Sequence, residues 1–487
     1  MLTPAEELGL SGLSLASRVR KAFYGIPEPR LVQLLQSIRE ESFRRHLIYL
    51  RDSELDTVPL FACPLTALPE QIAYVHFVTQ TIQNALKRLP EIYLADPTAR
   101  ELLRISPEEE RWLLDCWGPS HRENNPIFGR LDAMIDFISP MWKDSLRFVE
   151  PNLSGIGGLH LVPTAERIVA DLVVPLLQEQ DDELELHVGH DIRELLMQEV
   201  LDHLETLKRP ARHICFVEPK YAGSGPDEQE ELTRYFHDRY KLKVTHADPA
   251  ELTLAGAEVC YEGDPVDLAY RDYAVADLID LEKEGRDVRP IRALFQQNRI
   301  ISSIAAELDQ KSCWEILTDP ALAQRFFSSD ERQVFRRHIL WTRIVSARSV
   351  TLPDGQVGDL LDYIRQERET LVLKPNRAYG GAGVVMGPIV EQAAWEAALD
   401  KALVDQERWV VQQLASISVS DFSVLGPSGK TQIEPFYTVM GFAPSKYGVS
   451  ILARASQKQV VNVAQRGGIC AVLIGRPPGR LHGPAGK

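Results

Sequence analysis

The spacing of apolar residues changes period several times along the chain, and each change predicts an element. Pro29–Arg51 and Leu68–Leu89 carry apolar residues three and four apart, the spacing of one helix face. Pro107-Glu-Glu-Glu110 starts a further helix, with proline and acids at its N-terminal end. The polar stretch His121–Pro126 then marks a boundary, so residues 1–125 are expected to form a helical region. Ile127–Phe137 and Leu146–Glu150 read as strands, and Ala165–Leu177 and Asp191–Leu207 as helices. From Arg212 strands and helices alternate: strand His213–Val217, helix Asp227–Tyr240, strand Lys243–His246, then strands Glu258–Tyr261 and Val266–Tyr270. Such alternation predicts a parallel α/β module. Helix returns over residues 300–345, and strands are expected at 408–414, 431–440 and 448–455. The last dozen residues are rich in Pro and Gly and predict a flexible tail.

One stretch stands out within this pattern. Glu369–Gly387 contains the apolar run Leu371–Leu373, then Lys374, then Gly380, Gly381 and Gly383, then Val384–Met386. This predicts a strand, a glycine-rich turn and a second strand. Glycines let backbone N–H groups close on phosphate oxygens, and the lysine adds a point charge beside them. A nucleotide triphosphate site on a β-hairpin is the working expectation.

Composition narrows the class. A chain of 487 residues predicts two or three domains, and 44% apolar with 25% charged residues is a globular balance. A net charge of −15 argues against a general nucleic-acid binder. The six cysteines stand singly, which suits buried thiols in a reducing cytosol. The N-terminal residues carry acids where a secretory leader needs bases, and no apolar run approaches a membrane span. A cytoplasmic protein with no nucleic-acid or membrane partner is expected.

Four other stretches hold candidate chemistry. Glu150 and Asn152 lie two apart at a strand end, so both point to one face with the hard oxygen donors that Mg²⁺ prefers. A turn in which Asn152 bonds its own backbone is the plainer reading. Ser154, Gly155, Gly157 and Gly158 follow as a loop able to close on a substrate. Arg130 and Asp132 are again two apart, and a surface ion pair would explain them equally. Trp409–Leu414 is an apolar strand ending in amides, fit for a base pocket or for plain core. Arg454 and Asn462, with a Gly-Gly pair beyond, suit a polyphosphate and its Mg²⁺, and an exposed strand residue would explain Arg454 equally.

Taken together and in order, these stretches resemble the circularly permuted branch of the ATP-grasp superfamily, the branch of eukaryotic-type glutathione synthetase and glutathionylspermidine synthetase. The likeness spans about residues 126–475 and leaves out the N-terminal helices. Glu150-Pro-Asn152 comes more than 200 residues before the glycine-rich hairpin, as the permutation requires. The resemblance implies an α/β fold: a first part of the core at 126–210, an inserted parallel α/β substrate domain at 211–300, a nucleotide-binding region at 301–475 and a tail at 476–487. It also implies roles. Asp132, Glu150 and Asn152 would hold Mg²⁺. Lys311, Lys374, Tyr379, Gly380, Gly381 and Gly383 would hold ATP, with Gln412, Gln413 and Leu414 as the adenine hinge. Arg130 and Arg454 would face the reacting carboxyl or transferred phosphate. Ser154, Gly157, Gly158, Arg271, Tyr273 and Asn462 would meet substrate. Two positions depart from the pattern: Ala378 stands where a metal-binding glutamate is usual, and Gln413 where a glutamate is common.

The implied activity is an ATP-dependent carboxylate–amine ligase working through an acyl phosphate. Its partners would be a small carboxylate and an amine, in a possible homodimer. A phosphotransferase acting on a hydroxyl, or a non-catalytic nucleotide-binding protein, would use the same nucleotide site.

Overall fold

The computed structural model describes residues 2–51, 54–218, 220, 228–378, 380–426, 428–458 and 467–477. Its centre is an eight-stranded sheet. In spatial order its main path runs Leu60–Ala67, Gly468–Gly475, Gly448–Ser456, Thr431–Ser445, Arg130–Met134 and Arg147–Asn152. Ser418–Leu425 pairs alongside Thr431–Ser445, and Leu186–Val188 alongside Gly468–Gly475. All of these pairings are antiparallel except that between Leu60–Ala67 and Gly468–Gly475.

That parallel pair corrects the expectation of an all-helical N-terminal region. Residues 1–125 also contain the hairpin Ile48–Arg51 with Glu54–Thr57, and Leu60–Ala67 belongs to the central sheet. The latter segment, LFACPLTA, is buried along almost its whole length, so it lacks the alternation that signals a half-exposed strand. Two helices also differ from expectation. The first ends at Arg44, where the hairpin takes over, and the run from 165 breaks at Val173, with Pro175 opening a new helix.

The alternating segment contains a four-stranded sheet in the order Ile300–Ile301, Leu268–Arg271, His213–Val217, Lys243–Ala247, parallel as expected. Glu258–Tyr261, however, stands outside it in a small antiparallel sheet with Leu252–Ala255 and Asp264–Pro265, and Ile300–Ile301 is strand where helix was expected. A second four-stranded sheet, antiparallel, runs Thr342–Ile344, Trp409–Gln413, Leu371–Pro375, Val385–Met386. Leu371–Pro375 and Val385–Met386 are the two arms of the glycine-rich hairpin. Behind this sheet Leu360, Ile364, Trp395 and Leu399 form their own buried apolar cluster, which anchors the hairpin's base.

The central sheet buries one face and leaves chemistry on the other. Leu131, Phe148 and Phe442 are fully buried on the core side. Helix Pro69–Leu86 packs against Thr431–Ser445 and Gly448–Ser456, and Pro4–Tyr24 against Leu60–Ala67. Among the described residues no helix is long and apolar enough to cross a membrane.

Candidate functional site in the cleft between two sheets

Period-two alternation sets the first half of the site. Arg130 pairs in register with Asn152, and Asp132 with Glu150, so four polar side chains form a square on the face opposite Leu131 and Phe148. Next to them on the neighbouring strand is Gly441, opposite Asp132. A Cβ there would lie 2.5 Å from Arg130 Cδ and 2.7 Å from Asp132 Oδ1. Only a glycine leaves room for the square. One strand further, Arg454 joins it.

Asp132 is the hub. Arg130 Nε donates to its Oδ1 at 2.9 Å, and Arg454 Nη2 donates to its Oδ2 at 2.8 Å. The carboxyl is almost fully buried, which alone would raise its pKa, yet the two guanidiniums hold it below the ordinary range. Both oxygens are therefore engaged by arginine. Glu150 instead has its Oε2 3.3 Å from Lys311 Nζ. Asn152 has a buried amide nitrogen with no partner among the described residues.

The facing wall comes from the antiparallel sheet. Lys374 Nζ donates to Gln412 Oε1 at 2.7 Å. Burial lowers the Lys374 pKa to about 8; the Glu150 carboxylate opposes that shift, and Lys311 adds to it. Lys311 Nζ also donates to the Ala378 carbonyl at 2.6 Å. The position without a glutamate is thus tied to the site through its backbone. Asn376 fixes the turn from behind: its Oδ1 accepts from the Ser312 N–H, and its Nδ2 donates to Gln310 Oε1 and Ser312 Oγ. Gly380, Gly381 and Gly383 all have φ between +67° and +76°, the left-handed region that glycine adopts freely. Between the two walls lies a cleft of about 1110 Å³ lined by the four polar side chains of the square, by Arg454, Lys311, Lys374 and Gln412, and by Ala378, Gly380 and Gly381 of the turn, together with Arg377 and Arg408.

Not every expected residue takes the expected place. Gln412 is fully buried, and its carboxamide donates to the Val149 carbonyl and Thr342 Oγ1. Gln413 and Leu414 line the cleft, but their amide N–H groups are donated to the Trp341 and Thr370 carbonyls. They are not free donors for a base edge. Arg271 was expected to meet substrate; it is wholly buried and binds the carbonyls of Ser302, Tyr273 and Ser303 and the carboxylate of Glu307. Its role here is to fix the end of a strand. Strand alternation could not reveal this, because the burying partners lie some thirty residues on. Tyr273 lines the cleft with a buried hydroxyl that lacks a partner among the described residues. Tyr379 and Asn462, and the tail from 478, lie outside the described residues.

The Ser154–Gly158 loop is more constrained than its glycines suggest. Arg130 Nη1 donates to the Gly157 carbonyl at 2.8 Å. The N–H groups of Gly158, His160 and Leu161 donate to the Glu228 carboxylate at 2.6, 2.8 and 3.0 Å, closing the start of helix Leu161–Leu172. Ser154 and Gly155 face the cleft, and the Asp272 carboxyl lies against Gly155. Burial, reinforced by Glu218 and Glu228, pushes the Asp272 pKa up to about 7. Asp272 and Glu228 carry no local sequence signal. Their importance comes from contacts made far along the chain.

No family model matches the chain, and no curated protein does either. Among solved structures, the chain is similar to a glutathione synthetase-like effector, GSS30, from Globodera pallida in its apo form. The TM-score is 0.58 at 10% identity, over 92% of this chain and 97% of that one. What is shared at that identity is the fold, along nearly the whole length of both chains.

Proposed function

We propose that the protein is an ATP-dependent carboxylate–amine ligase of the circularly permuted ATP-grasp type. The observation that carries this reading is the charge of the inner cleft. Arg130, Arg454, Lys311 and Lys374 gather around two carboxylates, Asp132 and Glu150. A buried lysine whose charge is disfavoured by its surroundings is an anion site waiting for its anion. A triphosphate supplies that charge. On this reading residues 126–210 and 301–475 carry the nucleotide and metal chemistry, and 211–300 the acceptor side.

Mg²⁺ fits the donor set. Glu150 and Asn152 offer hard oxygens on one face, and Asp132 would join them once an arginine turns to the phosphoryl group. Bound there, the metal would offset phosphate charge and orient the transferring group. The chain's own residues do the rest. Lys374 and Lys311 hold phosphate oxygens, and the Gly380–Gly383 backbone closes over them. Arg130 and Arg454 stabilise charge on the transferred phosphoryl and the substrate carboxylate. The substrate carboxylate becomes an acyl phosphate, and an amine displaces phosphate to give an amide. Such catalysis is mostly positioning and charge neutralisation. The Ser154–Gly158 loop, pinned by Arg130 and Glu228, and the hairpin would keep water from the acyl phosphate.

The reading is tested by ADP and phosphate release with pooled carboxylic acids and amines. Turnover should need both pools, and Glu150→Gln should abolish it while leaving the thermal transition within a few degrees. Normal turnover in that variant contradicts the metal assignment. A stable phosphorylated hydroxyl product would favour a phosphotransferase instead.

A further inference from the structure

The N-terminal helical region lies outside the sequence resemblance, yet it reaches the cleft. Arg104, Ile105, Ser106 and Pro107 line the cleft together with Gly380, Gly381 and Ala382 of the hairpin turn. In the same wall, helix Pro107–Cys116 carries Glu109 in its first turn, and Glu109 also lines the cleft. Ser106 and Glu109 form a reciprocal cap: the Ser106 N–H donates to Glu109 Oε2 at 2.8 Å, and Glu109's own N–H donates to Ser106 Oγ at 3.2 Å. A capping glutamate is normally solvated. This one is 3% exposed and also receives the Arg377 guanidinium, Nη1 on Oε2 at 2.8 Å and Nη2 on Oε1 at 2.5 Å. A fork-to-fork pair of this kind fixes orientation as well as distance.

Arg377 sits where the hairpin arm becomes its turn. Asn376, one residue before, is fixed to Gln310 and Ser312, and the carbonyl of Ala378, one after, is held by Lys311. Beyond Ala378 the glycines supply the backbone freedom. Glu109 therefore holds Arg377, three residues before the first glycine of the turn. We infer that Glu109 is a positioning residue for the glycine-rich hairpin, and that helix Pro107–Cys116 sets the hairpin's distance from Lys311 and Glu150. The inference rests on the nucleotide-site reading only for what the hairpin closes upon. The grip itself is independent of any ligand.

The test uses the full-length protein with Glu109→Gln and Arg377→Lys, and has two readouts. The first is limited trypsin cleavage, with mass spectrometry of the Arg377–Ala378 bond. The second is MgATP affinity by calorimetric titration. Glu109→Gln should speed cleavage at that bond at least tenfold, without speeding cleavage elsewhere, and weaken MgATP about tenfold. Arg377→Lys keeps the charge but loses the fork. It should weaken MgATP by an intermediate factor. Cleavage and affinity both within twofold of wild type in Glu109→Gln would overturn the inference, as would faster cleavage spread evenly along the chain. If wild type binds no MgATP but Glu109→Gln is selectively cut at Arg377, the grip stands and the nucleotide reading falls.

Discussion

At the scale of the residue, Lys374 carries the most specific expectation. Its pKa near 8 means that in the free protein it is charged below about pH 8 and neutral above. The lowered value reverses the usual linkage for a lysine. Folding releases a proton between about pH 8 and the ordinary value of 10.5, so Lys374 detracts from stability in full below about pH 8, and that cost shrinks as pH rises from about 8 and is gone above 10.5. A bound anion restores the charge. Polyphosphate affinity should therefore fall about tenfold between pH 7 and pH 9, since about nine in ten of these lysines would be neutral at pH 9 in the free protein. Calorimetric titration of MgATP across that range checks it, and Lys374→Met should bind weakly with no such slope. The lysine was legible in the sequence because a lone charge at the end of an apolar run is conspicuous. The depth of its burial was not, because Gln412 and Glu150 reach it from distant segments.

At the scale of the element, the square on the central sheet was half visible. The spacings 130, 132 and 150, 152 each placed a pair on one face of a strand, but sequence could not say that the two strands are neighbours in register. Nor could it single out Gly441, which has neither a turn nor a positive φ to explain it. Its function is space. Gly441→Ala should push Arg130 and Asp132 apart and destabilise the fold by about 1–3 kcal/mol, the usual range for overpacking. Urea unfolding measures this. A variant as stable as wild type, with unchanged MgATP affinity, would mean that the cluster can shift without harm. The adenine-hinge expectation shows the opposite limit. Gln412–Leu414 do line the cleft, but backbone pairing with Trp341 and Thr370 takes the amides that a strand end would otherwise offer.

At the scale of the whole molecule, the parallel strands after residue 212 and the two arms of the glycine-rich hairpin were legible as apolar runs bounded by turn residues, while the edge strand Thr342–Ile344, expected as helix, and the place of the N-terminal region were not. An apolar run such as Leu60–Ala67 gives no period to read, and its partner strand lies some four hundred residues away. Strand pairing therefore crosses the boundary near residue 125. A chain beginning at residue 126 would lose the strand that pairs with Gly468–Gly475 and the helix over Thr431–Ser456. It should show no cooperative thermal transition, whereas a sharp transition and native-like hydrogen exchange in that fragment would show that the N-terminal region is an accessory. The same region supplies Glu109, so fold and site share one dependence on it.

Fate of the carboxylate oxygen separates the ligase reading from its rivals. With ATP, Mg²⁺, pooled amines and carboxylic acids labelled with ¹⁸O in the carboxyl group, a ligase must transfer one labelled oxygen from acid to inorganic phosphate for each amide formed. Mass spectrometry of the released phosphate should show a single ¹⁸O in the wild type and none in Glu150→Gln. Phosphate released without label, label retained wholly in the acid, or no ADP formed with any pool would contradict it.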